Sequence, residues 1–220
     1  MSFGTRSLPP LGAPPVRSLL RSPKGLATAL TVLLGVCAAT RTLMLAAGLN
    51  RYEALGDAVD PEPSWRLFSM AMSLALLVMV PTAVVFIVWF HRVRVNAGVF
   101  APELFRRGAG WAIGIWFVPF VGWTVLAHGI ATRVWTASAP KPPRGVGASV
   151  SPVPVTAWSG AFGAAMLLSL ASNRIGDKAL TEAGLRDAVL VGMASDLVYA
   201  VAAGLAVVFV RRLSAMQSRA

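Results

Sequence analysis

Four long apolar runs separated by short polar stretches set the pattern of this chain. They lie over residues 26–49, 66–90, 156–172 and 189–210. The second contains FSMAMSLALLVMVPTAVVFIVWF. A helix crosses about 30 Å of hydrocarbon with roughly 20 residues at about 1.5 Å rise each. Three runs exceed that length, and 156–172 is shorter but usable. The pattern predicts an all-α integral membrane protein with four transmembrane helices. Pro81 removes one backbone hydrogen bond and is expected to kink the second.

A fifth apolar stretch, GWAIGIWFVPFVGW over Gly110–Trp123, continues into TVLAHGIATRVW. Pro119 interrupts a helix there and pushes Val118 toward extended geometry. Trp111, Trp116 and Trp123 suit headgroup depth, where an indole ring is apolar and its N–H stays wet. Gly110, Gly114 and Gly122 permit irregular backbone and close approach. Residues 124–136 are weakly amphipathic, with Leu126, Ile130 and Val134 opposite Thr124, His128 and Thr132, as in a helix lying in the interface plane. The segment 110–137, with Trp111, Trp116, Phe117, Pro119 and Phe120 at its heart, is expected to be re-entrant or interfacial and to pack against the four spans, because irregular backbone at membrane depth needs protein or water beside it. The rival threading has five spans, since Trp111–Ala131 is itself long enough to cross.

Charge separates the two threadings. Lys and Arg collect on the cytoplasmic side of membrane proteins. Counting Lys and Arg against Asp and Glu, the N-terminal tail is +4, residues 50–64 are −3, residues 91–110 are +3, residues 133–155 are +3, residues 173–188 are 0 and the C-terminal tail is +3. If the fifth stretch returns to the face it entered, every basic connection is inside. If it crosses, two basic connections land outside. The expectation is therefore a cell-membrane protein with both termini cytoplasmic. Residues 1–25, proline-rich and carrying Arg6, Arg17, Arg21 and Lys24, read as a disordered cytoplasmic tail, too long for a signal-peptide n-region. Residues 26–210 read as one transmembrane domain, and 211–220 as a second tail.

Composition agrees: 56% of 220 residues are apolar and 13% charged, with mean hydropathy +0.67, against about 45–50% and about 25% in soluble domains. The net charge of +11 is dealt out in small groups, which argues against nucleic acid as a partner. The expected partners are the bilayer with its anionic cytoplasmic headgroups, and a second copy of the chain or another membrane protein.

The candidate chemistry is sparse. His91, His128 and the single Cys37 have no metal-ligand spacing, and no phosphate loop, nucleophile elbow or HExxH is present. No metal, cofactor or enzymatic activity is expected. The informative residues are charges within apolar runs. Arg41 and Asp196 each sit about 10–12 Å below the outer ends of their helices. An unpaired charge in hydrocarbon costs several kcal/mol, so the two are expected to face each other, as a structural ion pair or as a polar site for an ion, proton or small ligand. A second candidate is the basic group of His91, Arg92, Arg94, Arg106 and Arg107, with Trp111 and Trp116 as anchors, for anionic lipid headgroups. Asn96 is expected to join it, capping a helix end or bonding the irregular segment. The pairs Gly110/Gly114, Gly160/Ala164 and Ala200/Gly204 read as small-residue helix contacts.

FIVWFHRVRVNAGVF followed by RRGAGWAIGIWFVPFVGWTVLAHGIATRVWTASAP resembles the signature of the domain of unknown function 4328 family of bacterial membrane proteins. Trp89, Arg92, Asn96, Gly110, Trp111, Trp116, Phe117, Pro119, Phe120, Trp135, Ser138 and Pro140 carry the resemblance, mainly over residues 84–140. Gly122 stands where the family's Asn is usual, and Leu126 and Ala127 stand where a proline and an aromatic residue follow. The resemblance implies a multi-pass membrane protein and no assigned activity. Two function classes follow: a non-enzymatic membrane scaffold or interaction protein, and a small transporter or channel built around Arg41 and Asp196. A transporter is expected to show inverted repeats, and none is evident.

Overall fold

The computed structural model describes residues 20–56, 62–119, 121–140 and 150–219. Most of the proline-rich tail lies outside the described residues, as do Asp57, Asp60, Phe120, Lys141 and Arg144. The described residues form no strand. In chain order the helices are α1 (Lys24–Ala54), α2 (Glu62–Phe100), α3 (Trp111–Gly114), α4 (Ala127–Ser138), α5 (Val153–Lys178) and α6 (Glu182–Arg219). Of these α1, α2, α5 and α6 are long and apolar enough to cross a membrane.

Proline marks two of the starts. The Pro23 carbonyl accepts the Ala27 N–H at 2.9 Å, and the Pro152 carbonyl accepts from Val155 at 3.0 Å. Pro154 sits in the first turn of α5, where a missing N–H has no acceptor to lose. Pro81 lies inside α2, which remains one helix of 39 residues through it.

All four long helices outrun the sequence boundaries, α2 and α6 furthest at their C-terminal ends. The apolar runs stop at Phe90 and Val210, yet α2 continues to Phe100 and α6 to Arg219. Arginine ends an apolar run but not a helix, because Arg, Ala, Met and Gln are good helix formers. The connection read as starting at residue 91, and the tail read over 211–220, are therefore mostly the last turns of α2 and α6.

The long helices pack in the order α2, α1, α6, α5, and the chain between Ala109 and Ser138 fills the space between α2 and α5. That chain is a hairpin: α3, a tight turn over Ile115–Phe117, a wide turn over Gly122–Leu126, then α4. Both of its ends lie beside the same stretch of α2. The His91 ring is 3.2 Å from the Ala109 carbonyl, and Gln217 bridges Ser138 to the Val93 carbonyl. Along α5 the hairpin reaches Gly163, near which Thr124 packs.

The main core lies at the end of the bundle where this hairpin sits. Trp89, Phe90, Trp135 and Phe209 are all but fully buried there. Trp158 stacks on Phe209 at 5.1 Å, and Trp89 meets Phe209 edge-on at 5.6 Å. The opposite end holds only a small cluster of Met44, Ala47, Ala71 and Ala75. One group of basic side chains lies at the first end: Arg92 donates to the Ser22 carbonyl beside Arg21, and Arg106, Arg107 and Arg133 line one cleft there.

Candidate functional site

Arg41 of α1 and Asp196 of α6 meet. Arg41 Nη1 donates to Asp196 Oδ1 at 2.8 Å, and the guanidinium also lies over the Tyr199 ring, 4.5 Å from its centre. The side chains are 24% and 9% exposed, so Arg41 keeps one edge open while the carboxylate is enclosed. The preceding residue, Ser195, donates to the Ala165 carbonyl of α5 at 2.9 Å. Asp196 and Ser195 thus tie α6 to its neighbours on both sides.

The basic group divides. Arg106 and Arg107 are exposed and Arg92 is half-buried, whereas Arg94 is 7% exposed. Its guanidinium stacks on Phe105 at 3.6 Å and donates to the Arg107 carbonyl at 2.9 Å. Arg107 lies over Trp111 at 4.6 Å. Asn96 does neither of the things expected of it. It is 1% exposed and sits inside α2, because that helix runs on past Phe90 and turns Asn96 toward α6. It is not a headgroup contact.

The hairpin residues also sort differently from the expectation. Trp116 is not a wet interfacial ring. It packs edge-on against Phe86 at 5.2 Å and Phe90 at 5.9 Å, and its N–H is buried without an acceptor. The edge of one ring against the face of another is a favourable quadrupole arrangement. Trp123 reaches across the hairpin and donates to the Trp116 carbonyl at 2.6 Å. Phe117 and Pro119 are exposed, and Phe120 lies outside the described residues. A Cβ on Gly122 would run into the Ile115 carbonyl oxygen, so the two legs close only around a glycine. That gives Gly122 a steric role.

The sequence reading missed a buried amide network. Asn96 receives the Arg21 N–H at 3.1 Å and donates to the Arg21 carbonyl at 2.9 Å and to Gln217 Oε1 at 3.0 Å. Gln217 Nε2 donates to the Val93 carbonyl and to Ser138 Oγ, each at 2.9 Å. Trp89 Nε1 donates to Ser214 Oγ at 3.0 Å. Four segments meet in these bonds: the chain before α1, α2, α4 and α6. Trp89, Asn96 and Ser138 are among the residues that carry the resemblance, and in this chain they form a joint. Gln217, the single glutamine of the chain, was the available clue.

The glycine pairs are placed differently too. Gly110, Gly160 and Gly204 have open space where a side chain would be. The close approaches within the bundle occur at Gly48, against Met193, and Gly192, against Ser172. Among the described residues no three His, Cys, Asp or Glu side chains gather as a metal site would need.

The family described as Domain of unknown function (DUF4328) matches residues 52–215, most of the chain and well beyond the stretch that carries the resemblance. No curated protein and no solved structure matches.

Proposed function

The chain belongs to the DUF4328 family, whose description names no activity, and we propose that it is a non-enzymatic scaffold or interaction protein of the cell membrane. Four helices cross, the hairpin enters and leaves by the cytoplasmic face, and both termini are cytoplasmic. The common level of the two hairpin ends beside His91 and Val93 supports that threading. So does the gathering of Arg21, Arg92, Arg106, Arg107 and Arg133 at one end.

The observation that carries the scaffold reading is the closure of the Arg41–Asp196 pair. The carboxylate accepts from Arg41, and the guanidinium is further held by Tyr199. Cavities of about 440 and about 620 Å³ lie at the basic end, and neither is lined by Arg41 or Asp196. A charge pair bonded to itself staples α1 to α6, whereas a transport site must open to water and exchange partners. The alternative, a small transporter or channel using this pair, requires water to reach Asp196.

A reporter active only in the cytoplasm, fused after Ala220, tests the threading. Activity is expected, and a reporter that is inactive there but active when moved to the Phe105–Gly108 loop refutes the four-span arrangement. Thiol labelling of Asp196→Cys from the aqueous side tests the closure. No labelling is expected in the folded protein, and rapid labelling would favour the transporter.

A further inference from the structure

We propose that the cleft between the Phe105–Gly108 loop and the hairpin is a binding site for the phosphate headgroup of an anionic phospholipid. It encloses about 440 Å³, within the usual range of about 300–1,000 Å³ for small-ligand sites. Arg94, Arg106, Arg107 and Arg133 all line it, and among the described residues no carboxylate does. None of the four is in an ion pair among the described residues.

Ordinary cytoplasmic arginines stand apart in water. Here four arginines from three parts of the chain line one cleft, and one of them is nearly buried. Arg94 spends one donor on the Arg107 carbonyl, out of five N–H groups on a guanidinium. Its remaining donors have no protein acceptor among the described residues. Four like charges around one space repel one another, and a partly desolvated cation without an anion is unfavourable. A phosphate relieves both. Planar guanidinium groups bind its oxygens two at a time, and Phe105 and Trp111, stacked under Arg94 and Arg107, hold those planes in place.

The opposite wall decides between a free phosphate and a lipid. Val125, Leu126 and Ile130 of the second hairpin leg line it, and Val125 is 66% exposed. A free anion leaves that wall bare. A phosphodiester carrying acyl chains covers the arginines with its head and the apolar wall with its glycerol and first methylenes. The site rests on the proposed threading, which puts the hairpin mouth at headgroup depth.

The test is native mass spectrometry of the full chain in detergent, titrated with phosphatidylglycerol, phosphatidylcholine or inorganic phosphate. Phosphatidylglycerol is expected to bind at least about tenfold more tightly than phosphatidylcholine, the size of one charge-assisted contact. Arg106→Gln with Arg133→Gln should abolish that preference. Arg211→Gln with Arg212→Gln removes the same charge outside the cleft and should leave it intact. Val125→Asp, a change at an exposed position, should also abolish it, by placing a carboxylate among the arginines of a folded protein. Equal loss in both double variants, or equal binding of the two lipids, overturns the proposal. Competition by inorganic phosphate as effective as by the lipid overturns the lipid assignment. Because binding is read in detergent and threading by the reporter, a misplaced C-terminus with selective binding retained would refute the topology alone.

Discussion

The two ends of the bundle are built on different principles. At the hairpin end the core is aromatic and thick, with Trp89, Phe90, Trp135, Trp158 and Phe209 in mutual contact and an amide network sealing the helix ends above them. At the opposite end the core is small, with three alanines and Met44, and four of the arginines are partnered. Arg41 pairs with Asp196, Arg66 with Glu62, Arg51 lies over Trp65 and Arg186 over Tyr52. Where apolar packing is thin, the Arg41, Arg51 and Arg186 contacts attach one helix to another, while the Arg66–Glu62 pair lies within α2. Where it is thick, the fold tolerates four arginines without counter-charges at its rim, and those are the ones free to meet a ligand.

The largest expected effect breaks the hairpin end. Gly122→Ala puts a methyl group into the Ile115 carbonyl, and backbone cannot yield as a side-chain tip does. The legs must separate, which withdraws Trp116 from Phe86 and Phe90. We expect a loss of about 3 kcal/mol or more in detergent-solubilised protein, with loss of near-ultraviolet dichroism from the tryptophans. Wild-type stability in this variant would mean that the hairpin is not packed as described.

The next tests the opposite end. Asp196→Ala leaves Arg41 without its anion. A fully buried partner would cost about 3–5 kcal/mol. Arg41 is 24% exposed and keeps Tyr199, so about 2 kcal/mol is expected after allowing for solvent. Arg41→Leu combined with Asp196→Leu should recover most of it, because a shape-matched apolar pair removes both charges together. Thermal unfolding of the singles and the double reads this directly. Losses that simply add would separate the two residues.

The same contrast explains what could be read from sequence. The four long helices and the Arg41–Asp196 approach follow from run length, rise per residue and charge depth, all properties of position along one helix. The hairpin was legible as a break, through Pro119 and the spread of tryptophans. The orientation of Trp116 was not, because it depends on which ring of α2 lies opposite. Asn96 was misassigned for a similar reason. Its partners, Arg21 and Gln217, lie 75 and 121 residues away, and nothing local marks such a pairing. Helix ends past Phe90 and Val210 were hidden because hydropathy reports where lipid stops and not where hydrogen bonding stops.

The smallest effect concerns the seam between the ends. Gly204 lies on α6 between Asp196 and Ser214, and no atom comes within 4 Å of where its side chain would be. Gly204→Ala should therefore leave stability unchanged or raise it by up to about 1 kcal/mol, the gain in helix propensity of alanine over glycine. Gly192→Ala is the matched control, since its methyl would come 3.0 Å from Ser172 Oγ and should cost stability. If Gly204→Leu is also neutral for the isolated chain yet lowers the molecular mass seen by light scattering in detergent, the open face on α6 is where a second copy packs. If the mass is unchanged, that face meets lipid. A Gly204→Ala variant that unfolds more easily would show the seam to be closed, and the division of the bundle into an aromatic end and a charge-paired end would then lack the plain helical middle it requires.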